Sequence, residues 1–486
     1  WKFNRGSEWR NWDLHIHTKG TNKNDQFTSA DFKIFCITFF KKALAAKVQA
    51  IGITDYFSIN NYQKILEFVK NINSCSSFDQ EEKNKIKSIF LFPNVELRMM
   101  PSTDSGRLIN IHCIFNPSYV DSLENDFFGS LECSSGDKKY KMNKQGIIDF
   151  GKSLGNSLND RKAYERGIST FTILHDDWKK LLSDNPDFRD NTIIAVSNSS
   201  KDGASGLRRH YDLFEHEEVS NLDAVRKTIY SISDAIFSSN ESDRKYFLGE
   251  KNDDVETVIQ KCGSLKPCIH GSDAHTEEKL FNPDKNRFCW IKADLTFNGL
   301  KQIIYEPADR VRIQSLKPDI KNKRDIIAKV EFKDSKILFG DQELLLNDNL
   351  NSIIGGKSSG KSLLLHSIAE SIDPEQVDRL TSRLNFSGYK FAEEDFDFEL
   401  TWKDDEKDIL SQSDPEEKTR KITYIPQLYI NYLAEKNNKE ELNTLIKNIL
   451  LQDEKSWFQL VSATGDLLSK KTSLGVRYCK HFRGRL

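Results

Sequence analysis

The chain has 486 residues, 37% of them hydrophobic and 30% charged, with a formal net charge of −2. That length leaves room for two or three domains with sizeable cores, and the near-neutral balance excludes a global electrostatic argument for nucleic acid, so any such surface must be local. No apolar run reaches bilayer length, no signal-peptide pattern opens the chain, and the eight cysteines lack metal-type spacing, so they read as reduced thiols of a cytosolic bacterial protein.

The first predicted strand ends in Asp13-Leu14-His15-Ile16-His17-Thr18. Alternate side chains of a strand share a face, so His15 and His17 project together. One such pair alone reads as two partly exposed strand histidines. Far along the chain, however, Gly271-Ser272-Asp273-Ala274-His275 follows a second apolar run, and the same alternation pairs Asp273 with His275. Imidazole mixed with carboxylate suits Zn, Mn or Fe. Together the two pairs point to a metal site.

Between them, apolar strands predicted at 50–55 and 89–96 end in Asp55 and Glu96, and a third at 108–115 carries His112. A helical stretch at 65–69 follows the first of these. Strand, ligand-type residue, then helix is the rhythm of a β/α barrel, whose strand-end loops converge on one site. Arg98, two residues past Glu96, shares its strand face and is a candidate phosphate contact. Segments near Cys75 and at 133–139 read as exposed insertions. His175 reads as a helix-start residue or a further imidazole ligand. The Gly-rich loop 198–210, with Lys201, Arg208, Arg209 and His210, reads as a phosphate-holding or a solvated connection.

These motifs, in this order, resemble the PHP (polymerase and histidinol phosphatase) phosphoesterases over roughly residues 10–315. The resemblance implies a distorted β/α barrel that cleaves phosphate esters. It implies His15, His17, Glu96, His112, Asp273 and His275 as catalytic metal ligands, with Asp55 as a further one. Two divalent metals, Mn or Zn or Fe, are expected, and a third site stays open. Two departures bear on that third site: Tyr56 stands where the family has histidine, and Asn198 stands where it has His-Pro. His270 reads as a structural neighbour of the final motif. A divalent cation lowers the pKa of the water it binds, and a second clamps the leaving oxygen.

Further on, 289–307 reads as a strand and an amphipathic helix ended by Pro307. Gly355-Gly356-Lys357-Ser358-Ser359-Gly360-Lys361-Ser362 matches the P-loop pattern, with a predicted strand before it (Leu350, Ile353, Ile354) and a helix after it. Its glycines, Gly355 and Gly360 among them, let backbone N–H groups wrap phosphates; Lys361 reaches the outer phosphates and Ser362 ligates Mg. The β-like run 422–427 ends in Gln427 and resembles the Q-loop of ABC and SMC-type ATPases. After residue 363 no apolar strand ends in Asp-Glu, and no signature loop follows. Together with a Trp at position 1, this suggests a partial chain able to bind ATP but not to hydrolyse it efficiently. The segment joining the halves resembles that of TrlF-like PHP–ATPase fusions, some of which are anti-phage proteins.

The expected fold is therefore α/β: a PHP-type distorted β/α barrel at 1–315, the N-terminal lobe of an ABC/SMC-like P-loop ATPase at 316–457, and a helical, coiled-coil-like or truncated tail at 458–486. The expected function is a metal-dependent phosphoesterase, a nuclease or nucleotide hydrolase gated by ATP with Mg. Expected partners are nucleic acid (DNA favoured) or nucleotide, and further copies of the chain joined through the ATPase heads, with no membrane. The alternative is a nucleotide-switched nucleic-acid sensor with a degenerate barrel. A small-molecule phosphatase is a third reading, disfavoured by the ATPase resemblance.

Overall fold

The computed structural model describes residues 5–155, 158–207, 219–319, 321–333, 343–384, 396–412, 420–435 and 438–451. They fall into two compact units, divided between 320 and 321.

The first unit is built on β1 (Glu8–Ile16), β2 (Val48–Tyr56), β3 (Phe90–Ser102), β4 (Leu108–Phe115), the small hairpin β5 (Glu132–Ser135) and β6 (Lys138–Lys141), then β7 (Thr192–Ser197), β8 (Ala235–Phe237), β9 (Cys268–Ile269), β10 (Phe288–Ala293) and β11 (Val311–Gln314). Nine of these strands form one sheet in the order β11-β10-β1-β2-β3-β4-β7-β8-β9. The runs β1-β2-β3 and β7-β8-β9 are parallel; β4 runs antiparallel to both its neighbours. The sheet nearly closes on itself. Beyond β9, Asp273 N–H donates to His15 O at 2.8 Å, and His17 N–H donates to Ala274 O at 3.2 Å. The C-terminal half of β1 thus meets the far edge, while its N-terminal half pairs with β10.

Local sequence explains the strands and their crossovers. β2 is buried on both faces, as a parallel strand between helices must be. Gly52 lets it pass β1: a Cβ there would lie 2.5 Å from Leu14 O and 2.7 Å from the Phe92 ring. The helix Phe32–Ala45 begins where the Asp31 carboxylate accepts the Ile34 N–H, and it buries Phe35, Phe39, Phe40 and Ala43 along one stripe. A reciprocal Asp79–Glu82 capping box starts Gln80–Lys87.

One expectation changes here. Segment 271–275 is a loop, not a strand, so strand alternation does not pair Asp273 with His275. The segments near Cys75 and at 133–139 are largely exposed, as expected, but Cys75 and Cys133 themselves are buried in the core, and 132–141 is a hairpin turning at Gly136 with φ +60. His175 opens the helix His175–Asp184, with Asp176 and Asp177 in its first turn, as a helix-start residue does.

The second unit contains β12 (Ile327–Lys333), β13 (Glu343–Leu345), β14 (Asp397–Trp402) and β15 (Lys407–Ile409), an antiparallel sheet in the order β13-β12-β14-β15. Ile368 and Ile372 of the helix Lys361–Ile372 pack on Val330, Phe398, Leu400 and Trp402. The strand expected before the P-loop is not formed: Leu350 is 79% and Ile354 91% exposed. Among the described residues nothing pairs with this run, so no ladder holds it extended. The run 422–426 is not a strand either. The Gln376 side-chain amide takes the place of a strand partner, accepting Tyr424 N–H and donating to Ile422 O, both at 2.6 Å. No helix among the described residues is long and apolar enough to cross a membrane.

Candidate metal centre

The end of β1, the middles of β3 and β4 and the loop after β9 bring five side chains together. His15 Nε2 lies 3.2 Å from His17 Nε2, 3.3 Å from Asp273 Oδ1 and 3.6 Å from Glu96 Oε2. His17 Nε2 lies 3.4 Å from the same Glu96 oxygen. The His112 ring stacks edge-on against His15, with centroids 4.4 Å apart. Two sets, His15–His17–Asp273 and His15–Glu96–His112, each offer ligand atoms within 4.8 Å of one another. Among the described residues Glu96 Oε2 and His112 Nδ1 are buried without a hydrogen-bond partner. A cation would satisfy both, so the donor set fits a divalent metal.

The hydrogen bonds behind these groups fix which nitrogens face inward. Thr21 donates its hydroxyl proton to Asp55 Oδ1 at 3.0 Å, so at 3.2 Å it accepts from His17 Nδ1–H. This leaves the lone pair of His17 on Nε2, facing the cluster. Asp55 Oδ1 also accepts Asn22 N–H and Tyr56 N–H. Asp55 therefore orients His17 through Thr21, and it belongs to neither set of convergent ligand atoms.

His275 is likewise outside both sets. Its Nδ1 faces the Asp273 carbonyl at 3.1 Å, which makes that nitrogen the donor. Its Nε2 is left to accept from the Tyr56 hydroxyl at 3.4 Å. Tyr56, which departs from the family pattern, thus occupies the lone pair that His275 would offer. Its ring also stacks on His17 at 4.9 Å.

Charge balance follows from burial and neighbours. Burial works against ionised Glu96, but Arg98, His15 and His17 hold it well below the usual carboxylate range. Arg98 donates to Glu96 Oε1 at 2.6 Å. Burial disfavours charge on His15, yet Asp273 and Glu96 raise it to about 8. Burial takes His17 down to about 4 and holds His112 well below its ordinary value. Burial also lifts Asp55 to about 7 and lowers His270 to about 4.

A cavity of about 970 Å³ opens onto the cluster at His15, His112 and Asp273. Its lining also includes Ser197, Ser200, Ser239 and Lys227. Asn198 lines it too, with its side-chain oxygen taken by the Tyr230 hydroxyl at 2.7 Å. Arg208, Arg209 and His210 lie outside the described residues. Two residues that shape the centre carry no recognisable local pattern. One is Asp13, whose carboxylate binds the loop after β9; the other is Thr21, whose hydroxyl sets the His17 tautomer.

In the second unit, Lys361 Nζ donates to Gly355 O at 2.8 Å and to Gly356 O at 2.6 Å. Gly360 has φ +85, and Ser362 lies in the first turn of the helix that follows. Gln427 begins the helix Gln427–Ala434, its side chain lying outside the described residues, as does all of 458–486.

No protein-family model matches the chain. No curated protein matches it either. It is similar to solved structures at low identity. A protein assigned as a metal-dependent phosphoesterase from Bifidobacterium adolescentis is 12% identical, covering 62% of this chain and 98% of its own, with TM-score 0.28. PsfC from Pseudomonas syringae is 11% identical, over 63% and 93%, with TM-score 0.28. An amidohydrolase from Chromobacterium violaceum, solved with bound sulfate and no metal, is 10% identical, over 62% and 98%, with TM-score 0.32.

Proposed function

We propose that the first unit is a divalent-metal-dependent phosphoesterase. The observation that carries this reading is the convergence of His15, His17, Glu96, His112 and Asp273, with Glu96 Oε2 and His112 Nδ1 buried and, among the described residues, without a hydrogen-bond partner beside a polar cavity. Divalent cations held there would activate water and neutralise phosphoryl charge. The chain's own groups do the rest. Thr21 and Asp55 hold His17 in the ligating tautomer, Arg98 fixes the Glu96 carboxylate, and the cavity's serines and Lys227 offer donors to a phosphate ester.

The substrate we favour is nucleic acid, DNA first, or a nucleotide. This preference rests on the family resemblance and on a cavity wide enough for a nucleotide. The same reading assigns ATP with Mg to Gly355, Gly360, Lys361, Ser362 and Gln427, with head-to-head association of copies gating the barrel. The left-handed Gly360 and the loop-facing Lys361 ammonium support the nucleotide part. A role in anti-phage defence rests on resemblance alone.

Two observations favour the sensor reading. Arg98 already places a cation on Glu96, and Tyr56 already takes the His275 lone pair, as in a barrel that has given up part of its metal set. Metal content and cleavage separate the two. Wild type, His15→Ala/His17→Ala and Lys361→Ala would be assayed with Mn²⁺ on DNA, RNA and nucleoside triphosphates, with and without ATP. Stoichiometric metal and cleavage lost with the histidine pair support the enzyme. A folded protein with neither supports the sensor.

A further inference from the structure

Two cations crowd one tyrosine ring at the edge of the metal centre. The Arg98 guanidinium carbon lies 5.4 Å from the centroid of Tyr56, and Lys23 Nζ lies 5.9 Å from it. His17 stacks flat on the same ring, so one face is already covered and the cations gather about what remains. Arg98 spends one N–H on Glu96 and also bears on the Tyr56 hydroxyl. Lys23 forms no ion pair there, and its contact is the ring face.

The Arg98 charge is felt at Lys23, and like charges repel unless an anion lies between them. Burial, and then Arg98, lower the Lys23 ammonium below its ordinary range. Arg107, from the turn between β3 and β4, adds a third positive charge felt at Lys23. The opposing carboxylates are Glu96, whose Oε1 is engaged by Arg98, and Asp202, which acts on Arg98. Among the described residues Lys23 has no ion-pair partner within salt-bridge distance. Cation–ring contacts help hold both groups in place, and a planar fork beside a compact ammonium suits a tetrahedral oxyanion.

We propose that Lys23 and Arg98, set against Tyr56, form a seat for a phosphate group next to the metal ligands. It would hold a substrate phosphate while the ester reacts at the cluster. This deepens the phosphoesterase reading and rests on it for the identity of the substrate; the anion seat itself does not need turnover.

The test is calorimetric titration of the full chain with inorganic phosphate in the presence of EDTA, so that only protein cations can hold the anion. Wild type should bind, Lys23→Gln should lose about tenfold or more in affinity, and Lys23→Arg should recover most of it. Thermal melting confirms that each variant is folded. No phosphate binding by wild type, or equal affinity in Lys23→Gln, overturns the proposal. A nucleoside 5′-monophosphate and a dinucleotide lacking terminal phosphate extend the comparison. A Lys23-dependent gain confined to the monophosphate assigns the seat to a terminal phosphate, and a gain with the dinucleotide assigns it to a diester. Dependence with neither overturns it. Loss of metal-dependent cleavage with phosphate binding intact would instead count against the phosphoesterase reading alone.

Discussion

The buried Asp13 carboxylate accepts the backbone N–H of Ser272 at 3.0 Å, tying the end of β1 to the loop that carries Asp273. The same oxygen accepts His15 N–H at 3.3 Å. Two ligand-bearing segments far apart in the chain are thereby held by one side chain. Asp13→Ala should weaken metal binding by about 10–100-fold, the usual effect of removing a group that orients ligands. Asp13→Asn keeps an oxygen to accept these bonds and should lose less. Calorimetric Mn²⁺ titration decides it; wild-type affinity in the alanine variant would show that the contact orients nothing.

Gly271 is required by the same junction. A Cβ at this position would lie 2.4 Å from His15 N and 2.6 Å from Asp13 Oδ1, where nothing can retreat without breaking the closure. Gly271→Ala should cost roughly 1–3 kcal/mol of stability, as overpacking does, and should reduce metal binding as well. Urea unfolding with a parallel metal titration reads both. A variant that lost stability but kept full affinity would separate the closure from the ligand geometry.

The sequence revealed the centre unevenly, for physical reasons. His15 and His17 were legible because alternation holds to the end of β1 and His17 directly follows it, and Glu96 and His112 because each sits on an apolar strand. Asp273 was legible by residue type and not by geometry, since it reaches the cluster from a loop at φ +49. His275 and Asp55 carry the right chemistry, but their lone pairs go to Tyr56, Thr21 and backbone N–H groups. Such competition depends on neighbours from other segments, which no local pattern records. Lys23 lies in a loop and gave no signal at all. The apolar run Leu350–Ile354 shows the opposite failure: strand-forming residues make a strand only where a partner exists.

Lys361 holds its ammonium against Gly355 O and Gly356 O, carbonyls of its own loop. An incoming phosphate would replace those neutral acceptors by charged ones, a stronger interaction. Lys361→Ala should therefore lower ATP affinity about tenfold or more while leaving metal binding by the first unit unchanged. Fluorescent-nucleotide binding alongside the Mn²⁺ titration checks both parts. Undiminished ATP binding would remove Lys361 from the nucleotide site.

Glu277 anchors the loop that bears Thr21, Asn22 and Lys23. Its carboxylate accepts Thr28 N–H at 2.9 Å, Ser29 N–H at 2.8 Å and the Ser29 hydroxyl at 2.7 Å. Burial alone would raise its pKa, but these donors outweigh it and bring the group down to about 2 from an ordinary 4.5. The unfolded chain then takes up a proton near the ordinary value, while the folded chain resists until much lower pH. The stabilisation is present in full above the unfolded pKa and is lost as pH falls from there towards the folded one. Glu277→Gln should cost about 1 kcal/mol at neutral pH, and the gap between variant and wild type should narrow steadily as pH falls from 4.5 towards 2. Urea unfolding followed from pH 7 down to about 3 tests this. A gap of constant size across that range would mean that charge on Glu277 plays no part in holding the loop.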